Sequence, residues 1–305
     1  MDNAPIVIVG FGSQAKAWAL NLKDSKRNFV IALKKFSKSH DLVTAMGMES
    51  IELGADQLKN YSTFILLIPD DQHKKFFENN LPYLATNSHF IYAHGFSLTR
   101  ELFTEKLPQF THSLLAPKAI ASEVRFQYET SGKIGAIYYS NHKDQYDFIF
   151  KLAKDAGFTA LYPAHFEEET IADLFSEQTI LCSLLPYASL KAFNKLIENN
   201  IPKELAFMEC FLELKSISQA LVTMGPEDFF KLISPNALIG SEVGREKILN
   251  QHFDQAIEEI FIDIKSKKFY NQVELDSGKT RDLVLDRWKN EELNKTFKQL
   301  KNELI

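Results

Sequence analysis

The sequence predicts an α/β doubly wound domain followed by an all-α domain, and three observations carry that expectation. Short apolar runs alternate with helix-length amphipathic segments up to about residue 163. A glycine-rich turn joins the first of those runs to the first amphipathic segment. Beyond Pro163 strand-like runs give way to long stretches of helical periodicity.

In chain order, the strand-like runs are IVIVG at 6–10, FVIAL at 29–33, FILLI at 64–68, HFIYAHG at 89–95 and IGAIYY at 134–139. Amphipathic segments such as 13–23 and 72–82 lie between them, so parallel βαβ units are expected. The segments EETIADLFSEQTILCSLLPYASLKAFNKLIE and KELAFMECFLELKSISQALVTM read as helices of several turns, the second stopped by Gly225-Pro226. The charged stretch 276–305 is expected to be a surface helix or partly frayed. A division into 1–163 and 164–305 follows.

The 305 residues are 45% hydrophobic and 25% charged, which is globular composition. The 25 phenylalanines predict aromatic-rich cores. A net charge of −5 with scattered Lys and Arg gives no nucleic-acid footprint, and no apolar run reaches membrane-span length. Cys182 and Cys210 sit in apolar helical runs and are expected to be buried reduced thiols, not a disulfide or metal framework. Met1 leads almost directly into Ile6, so no targeting segment is expected, and the cytoplasm is the expected setting.

Gly10-Phe11-Gly12-Ser13-Gln14-Ala15 fits G-x-G-x-x-G/A between a strand and a helix, the context of a Rossmann phosphate-binding turn. The first Gly permits the tight turn, and the second lets the backbone approach a pyrophosphate. Ser13 and Gln14 open the helix whose N-terminus faces the anion. The end of the second strand lacks the acidic residue that holds the ribose of NAD and offers Lys34, Lys35, Ser37 and Ser39 instead. Cations and hydroxyls there suit the 2′-phosphate of NADP(H). The plainer alternatives are a structural glycine turn and a solvated basic loop.

Asp173 and Glu177 stand four residues apart, as do Glu209 and Glu213, so each pair is expected on one helix face, which taken alone would be a solvated one. Phe207, Met208, Cys210, Phe211, Leu212 and Leu214 surround the second pair, which predicts burial. Buried carboxylates need a cation or a partner. Mg²⁺, which prefers oxygen ligands, is one solution; pairing with Lys215 or Lys118 is another.

The segments GFGSQAKAWALNL (10–22), LLIPDDQH (66–73), AHGF (93–96), LLAPKAIASEVR (114–125), FEEETIADLFSEQTILC (166–182), ECFLELKSI (209–217) and ISPNALIG (233–240) together resemble ketol-acid reductoisomerase, in its shorter, single-helical-domain class. That resemblance implies a knotted or intertwined helical domain and at least a homodimer. It implies two Mg²⁺ ions held by Asp173, which bridges both, and Glu177, with Glu209 and Glu213 completing the site from the neighbouring chain. It also implies cofactor contacts from Pro69, Asp70 and Gln72, catalytic roles for His94, Lys118 and Glu213, and a substrate-carboxylate contact from Ser234. The implied reaction turns a 2-acetyl-2-hydroxy acid into a 2,3-dihydroxy acid by alkyl migration and NADPH reduction, in branched-chain amino-acid synthesis. The alternatives are a same-fold reductase of a related 2-keto acid and a non-catalytic nucleotide-binding regulator.

Overall fold

The computed structural model describes residues 4–276 and 278–304. The chain divides into two compact units, Met1–Thr170 and Ile171–Ile305, and the division falls inside the helix Phe166–Ser176.

The first unit is built on one sheet of β1 (Ile6–Val9), β2 (Phe29–Leu33), β3 (Ser50–Glu52), β4 (Thr63–Leu66), β5 (His89–Tyr92), β6 (Thr111–Pro117), β7 (Gly135–Ser140) and β8 (Ala160–Pro163). Its strand order is β3-β2-β1-β4-β5-β6-β7-β8. β1 lies at the centre, with Ile8 beside Ile31 of β2 and Ile65 of β4, all parallel. The expected parallel pairing holds from β3 through β6 and again for β7 with β8, while β7 runs antiparallel to β6, with Leu115 opposite Tyr138. Pro117 at the end of β6 pairs with Ala136 near the start of β7, so the connection through the helix Ala121–Glu129 returns to the end it left.

Alternation along each strand sends side chains to two cores, one per face of the sheet. Ile6, Ile8, Ile31, Ile65 and Ile91 meet Trp18 and Leu22 of the helix Ser13–Asp24 on one face. Val7, Val9, Phe64, Phe90 and Tyr92 fill the other. The expected aromatic packing is concentrated there, with ring centroids 4.9 Å apart for Phe77–Phe90 and 5.0 Å for Phe90–Phe110. Truncating a ring buried on all sides, as in Phe90→Ala, typically costs ~3–5 kcal/mol. The strand order reverses between β1 and β4, which opens a crevice beyond their C-terminal ends.

The second unit is all helical. Two of its helical stretches contain turns with i→i+5 hydrogen bonding, Glu177–Leu184 and Met208–Leu212. Such π-turns concentrate at functional sites. Its core joins Leu190 and Phe193 of the helix Leu185–Glu198, Ala206 and Phe207, and Leu293 and Leu300 of the helix Glu292–Leu304. Within the C-terminal stretch the helix Lys279–Asn290 buries no residue, as expected of a surface helix, whereas the helix Glu292–Leu304 docks on this core. Leu293, Thr296 and Leu300, spaced three and four apart, form the buried stripe of an amphipathic helix. The cysteines also depart from expectation: Cys182 is exposed and Cys210 half-buried. Among the described residues no helix is long and apolar enough to cross a membrane.

Candidate active site

The crevice at the strand-order reversal is a cleft of about 960 Å³. Gly10 and Gly12 line it from the first turn, Lys34, Lys35, Ser37 and Ser39 from the loop after β2, and Pro69 and Gln72 from the loop after β4. Gly10 answers to the fold: its φ is +96°, and a Cβ there would lie 2.6 Å from Ile68 Cγ2. Gly12 does not. Its φ of −74° is ordinary, and a Cβ would meet nothing within 4 Å. The space beside Gly12 opens onto the cleft, so its lack of a side chain serves an occupant rather than the chain's own packing. No side chain caps the helix Ser13–Asp24 and no acidic residue stands in its first turn, so its N-terminal amides keep their affinity for an anion. Gln14 turns elsewhere, its Nε2 donating to the Ala119 carbonyl at 3.1 Å.

The basic loop is held in shape. The Ser39 amide donates to Ser37 Oγ at 3.3 Å, and the His40 ring joins the Lys34 carbonyl at 3.2 Å to Ser50 Oγ at 2.8 Å. Lys34 and Lys35 make no ion pair among the described residues. Unpaired cations on a pinned loop, uncapped helix amides and an open Gly12 together fit the 2′-phosphate and pyrophosphate of NADP(H).

A polar array forms within the same unit from the chain that follows β4, β5, β6 and β8. Its centre is Glu169, whose side chain is 1% exposed. Glu169 Oε1 accepts from Lys118 Nζ at 2.6 Å, and Oε2 accepts from the Gly95 amide at 2.7 Å. Gly95 must be glycine, since a Cβ would stand 2.5 Å from the Phe166 carbonyl oxygen. The His94 ring bridges two carboxylates, Nε2 being 3.9 Å from Glu169 Oε2 and Nδ1 3.7 Å from Asp70 Oδ2. The Ser97 amide donates to Asp70 Oδ1 at 3.2 Å, and His73 Nδ1 lies 2.6 Å from Ser97 Oγ. Burial alone would raise the Asp70 carboxyl. The facing His94 and His73 rings and the Ser97 amide outweigh it and hold the carboxyl below its usual range. Burial pushes His73 down, against the opposing pull of Asp70, so the array presents a fixed carboxylate beside a neutral imidazole.

In the helical unit Asp173 is half-buried and Glu177 exposed, the latter opening the first π-turn. Glu209 lies in the second π-turn, and Glu213 directly follows it. Both are exposed, contrary to the burial expected from their apolar neighbours. Met208 is itself 39% exposed, so those neighbours do not enclose the carboxylates within one chain. Ser234 caps the helix Pro235–Ile248, its Oγ accepting from the Ala237 amide at 3.2 Å.

Comparison with known proteins places this geometry in a family. Residues 1–161 match the acetohydroxy acid isomeroreductase NADPH-binding domain, and residues 166–305 match the ketol-acid reductoisomerase C-terminal domain. The chain belongs to the ketol-acid reductoisomerase family. The NADP(+) ketol-acid reductoisomerase of Saccharolobus solfataricus is 30% identical over 270 residues, 87% of this chain and 80% of that protein, and a Saccharolobus islandicus counterpart matches equally well. An NADH-preferring ketol-acid reductoisomerase from an uncultured archaeon shares the fold, with a TM-score of 0.91 at 22% identity over 98% of this chain and 94% of that one. Plasmodium falciparum pyrroline carboxylate reductase with NADP bound is a more distant likeness, with a TM-score of 0.57 at 13% identity over 87% of this chain and 98% of that one. Membership makes the chain an NADP-dependent oxidoreductase/isomerase.

Of the residues expected at the cofactor from the glycine turn, the basic loop and the resemblance, Gly10, Gly12, Lys34, Lys35, Ser37, Ser39, Pro69 and Gln72 line one cleft. Asp70 was expected at the cofactor but turns to His94 and Ser97. Lys118 pairs with a carboxylate, as one alternative anticipated, and Glu169 is such a partner. Glu169 was missed. The available signal was its place four residues before Asp173 and eight before Glu177, on the same helical stripe.

Proposed function

We propose that this chain converts 2-acetolactate, or its ethyl homologue, to the corresponding 2,3-dihydroxy acid in an Mg²⁺-dependent step of branched-chain amino-acid synthesis. The observation that carries the proposal is the Lys118–Glu169 pair beside His94 and Asp70, in a reductoisomerase family member whose helical unit bears two acidic pairs, each with one member in a π-turn.

Asp173, Glu177, Glu209 and Glu213 offer only oxygen donors, a set that fits Mg²⁺ better than softer metals. When bound, two such ions supply the Lewis acidity an alkyl shift requires, and NADPH supplies the hydride. The proton changes fall to the chain's own residues. As the C2 hydroxyl loses its proton and the alkyl group moves from C2 to C3, the former C3 carbonyl oxygen gains a proton. Lys118, aimed by its bond to Glu169, holds a proton for the substrate's oxygens, and Glu213 takes up the one released. His94, between Asp70 and Glu169, keeps the array in register. Ser234 binds the substrate carboxylate, exchanging its cap contact with Ala237 for that anion.

A homodimer belongs to the same proposal. Its support is the number of large apolar side chains the helical unit leaves outside, among them Leu181 at 55% exposure, Val222 at 84% and Ile239 at 66%.

The test is NADPH oxidation with 2-acetolactate and Mg²⁺, set against a metal-free reaction and the Asp173→Asn variant. Turnover lost in both controls supports the proposal. Bound NADPH without turnover moves the chain to the non-catalytic alternative.

A further inference from the structure

Among the residues that line the cofactor cleft are Phe36 and Lys75, whose side chains the readings of the glycine turn and the basic loop leave unused. Phe36 is 91% exposed, more than any other large apolar side chain among the described residues. It stands between Lys35 and Ser37 on the rim of the cleft, with Lys35 Nζ 5.8 Å from its ring centroid. A solitary exposed Phe is unremarkable on a surface, but this one borders a cavity on a loop pinned by His40. An aromatic face flanked by cations is a seat for a purine ring.

Lys75 approaches the cleft from the other wall, on the helix His73–Asn80. That helix is fixed. Phe76 and Phe77 anchor it in the core, and Asn80, which also lines the cleft, is committed to structure. Asn80 Nδ2 donates to the Phe76 carbonyl at 2.7 Å, while its Oδ1 accepts the Gly54 amide at 2.8 Å. Lys75 has no such commitment and no ion pair among the described residues. Lys34, Lys35 and Lys75 are thus three cations on one cleft whose lining, among the described residues, holds no carboxylate.

We propose that Lys75 is a third 2′-phosphate contact, placed opposite Lys34 and Lys35, and that Phe36 stacks on the adenine of the same cofactor. This rests on the NADP(H)-binding assignment and names its specificity residues. A phosphate monoester carries close to two negative charges at neutral pH, so a third cation adds to selectivity for NADPH over NADH. The adenine is common to both cofactors, so Phe36 contributes to binding without selecting between them.

The two roles separate in equilibrium titrations of the full chain that require no turnover. NADPH, NADH, 2′,5′-ADP and 5′-AMP are titrated against the unmodified chain, Lys75→Gln and Phe36→Ala. Lys75→Gln is expected to weaken NADPH and 2′,5′-ADP about tenfold, flatten their salt dependence and leave NADH and AMP unchanged. Phe36→Ala is expected to weaken all four by a common factor of roughly five to thirty. Equal effects of Lys75→Gln on ligands with and without the 2′-phosphate, or no effect on either, would overturn its assignment. A Phe36→Ala variant that binds all four normally would overturn the stacking role. Because no substrate is present, these outcomes stand apart from success or failure of the 2-acetolactate assay.

Discussion

Replacing Glu169 by Gln removes one charge from the centre of the polar array and leaves its shape. Glu169 is 1% exposed, while its partner Lys118 is 39% exposed. The lysine left behind remains partly hydrated, so the full cost of ~3–5 kcal/mol for stranding a buried charge does not apply. What is lost is one charge-assisted hydrogen bond at 2.6 Å, together with part of the bond from the Gly95 amide at 2.7 Å. Hydrogen bonds to charged groups contribute about 1.5–3 kcal/mol, which sets the expected loss of unfolding free energy. For a chain of this size that corresponds to a fall in Tm of roughly 3–10 °C. Glu169→Gln, Lys118→Met and the double variant close a cycle readable by denaturant unfolding, with an expected coupling of about 1–2 kcal/mol. Activity should fall further than stability, since Lys118 loses the carboxylate that aims it. A coupling near zero, with normal activity in Glu169→Gln, would refute the claim that this pair organises the site.

Other outcomes follow from the same structure. His89 and His112 are both buried, and burial, chiefly, pushes each down to about 4. Because their folded values lie below the unfolded one, stability is full above about pH 6.5 and is lost as pH falls toward 4. The loss is about 2 kcal/mol per histidine at pH 5, visible as a falling Tm that His89→Gln flattens. If the slope is unchanged in that variant, the histidine is not its source. Gly10→Ala should destabilise by ~1–3 kcal/mol, through its positive φ and the collision with Ile68. Gly12→Ala should melt within about 0.5 kcal/mol of the parent yet bind NADPH at least tenfold more weakly; a normal titration would remove the pyrophosphate from that turn. Leu300→Ala should cost about 2–4 kcal/mol, and a smaller effect would return the C-terminal helix to the surface.

The parts of the fold legible in the sequence were those where one periodicity ruled a long segment. β1, β2, β4, β5 and β7 were read from apolar runs that face a core on both sides. β3 has only three residues, Ser-Ile-Glu, and offers almost no pattern. β6 begins Thr-His-Ser, polar residues that are satisfied inside: His89 Nε2 meets Ser113 Oγ at 2.7 Å, and Ser113 Oγ donates to Ser140 Oγ at 2.8 Å. β8 is a half-exposed edge ending in Pro163. Burial in the helical unit was misread in both directions. Apolar neighbours suggested that Glu209 and Glu213 were enclosed, although a single chain leaves them open. Charge density suggested a surface helix or fraying over the C-terminal stretch, which suits Lys279–Asn290 but not Glu292–Leu304, anchored by Leu293 and Leu300.

At the site, motif chemistry located residues with a local signature and missed those defined by long-range contact. The glycine turn and basic loop were visible because their spacing is their function. Glu169 was hidden among three successive glutamates, a composition that also suits any helix N-terminus. Its burial depends on Gly95 and Lys118, 74 and 51 residues away in sequence. Lys75 and Phe36 were hidden for the same reason: the cleft that gives them meaning exists only once the two loops face each other.

The central claim is alkyl migration coupled to reduction, and the product of 2-acetolactate labelled with ¹³C in its C2 methyl group tests it most directly. With NADPH and Mg²⁺, the account predicts 2,3-dihydroxy-3-methylbutanoate, with the label in one of two geminal methyl groups on C3. Formation of 2,3-dihydroxy-2-methylbutanoate, with the label still on C2, would show reduction without migration and contradict the account.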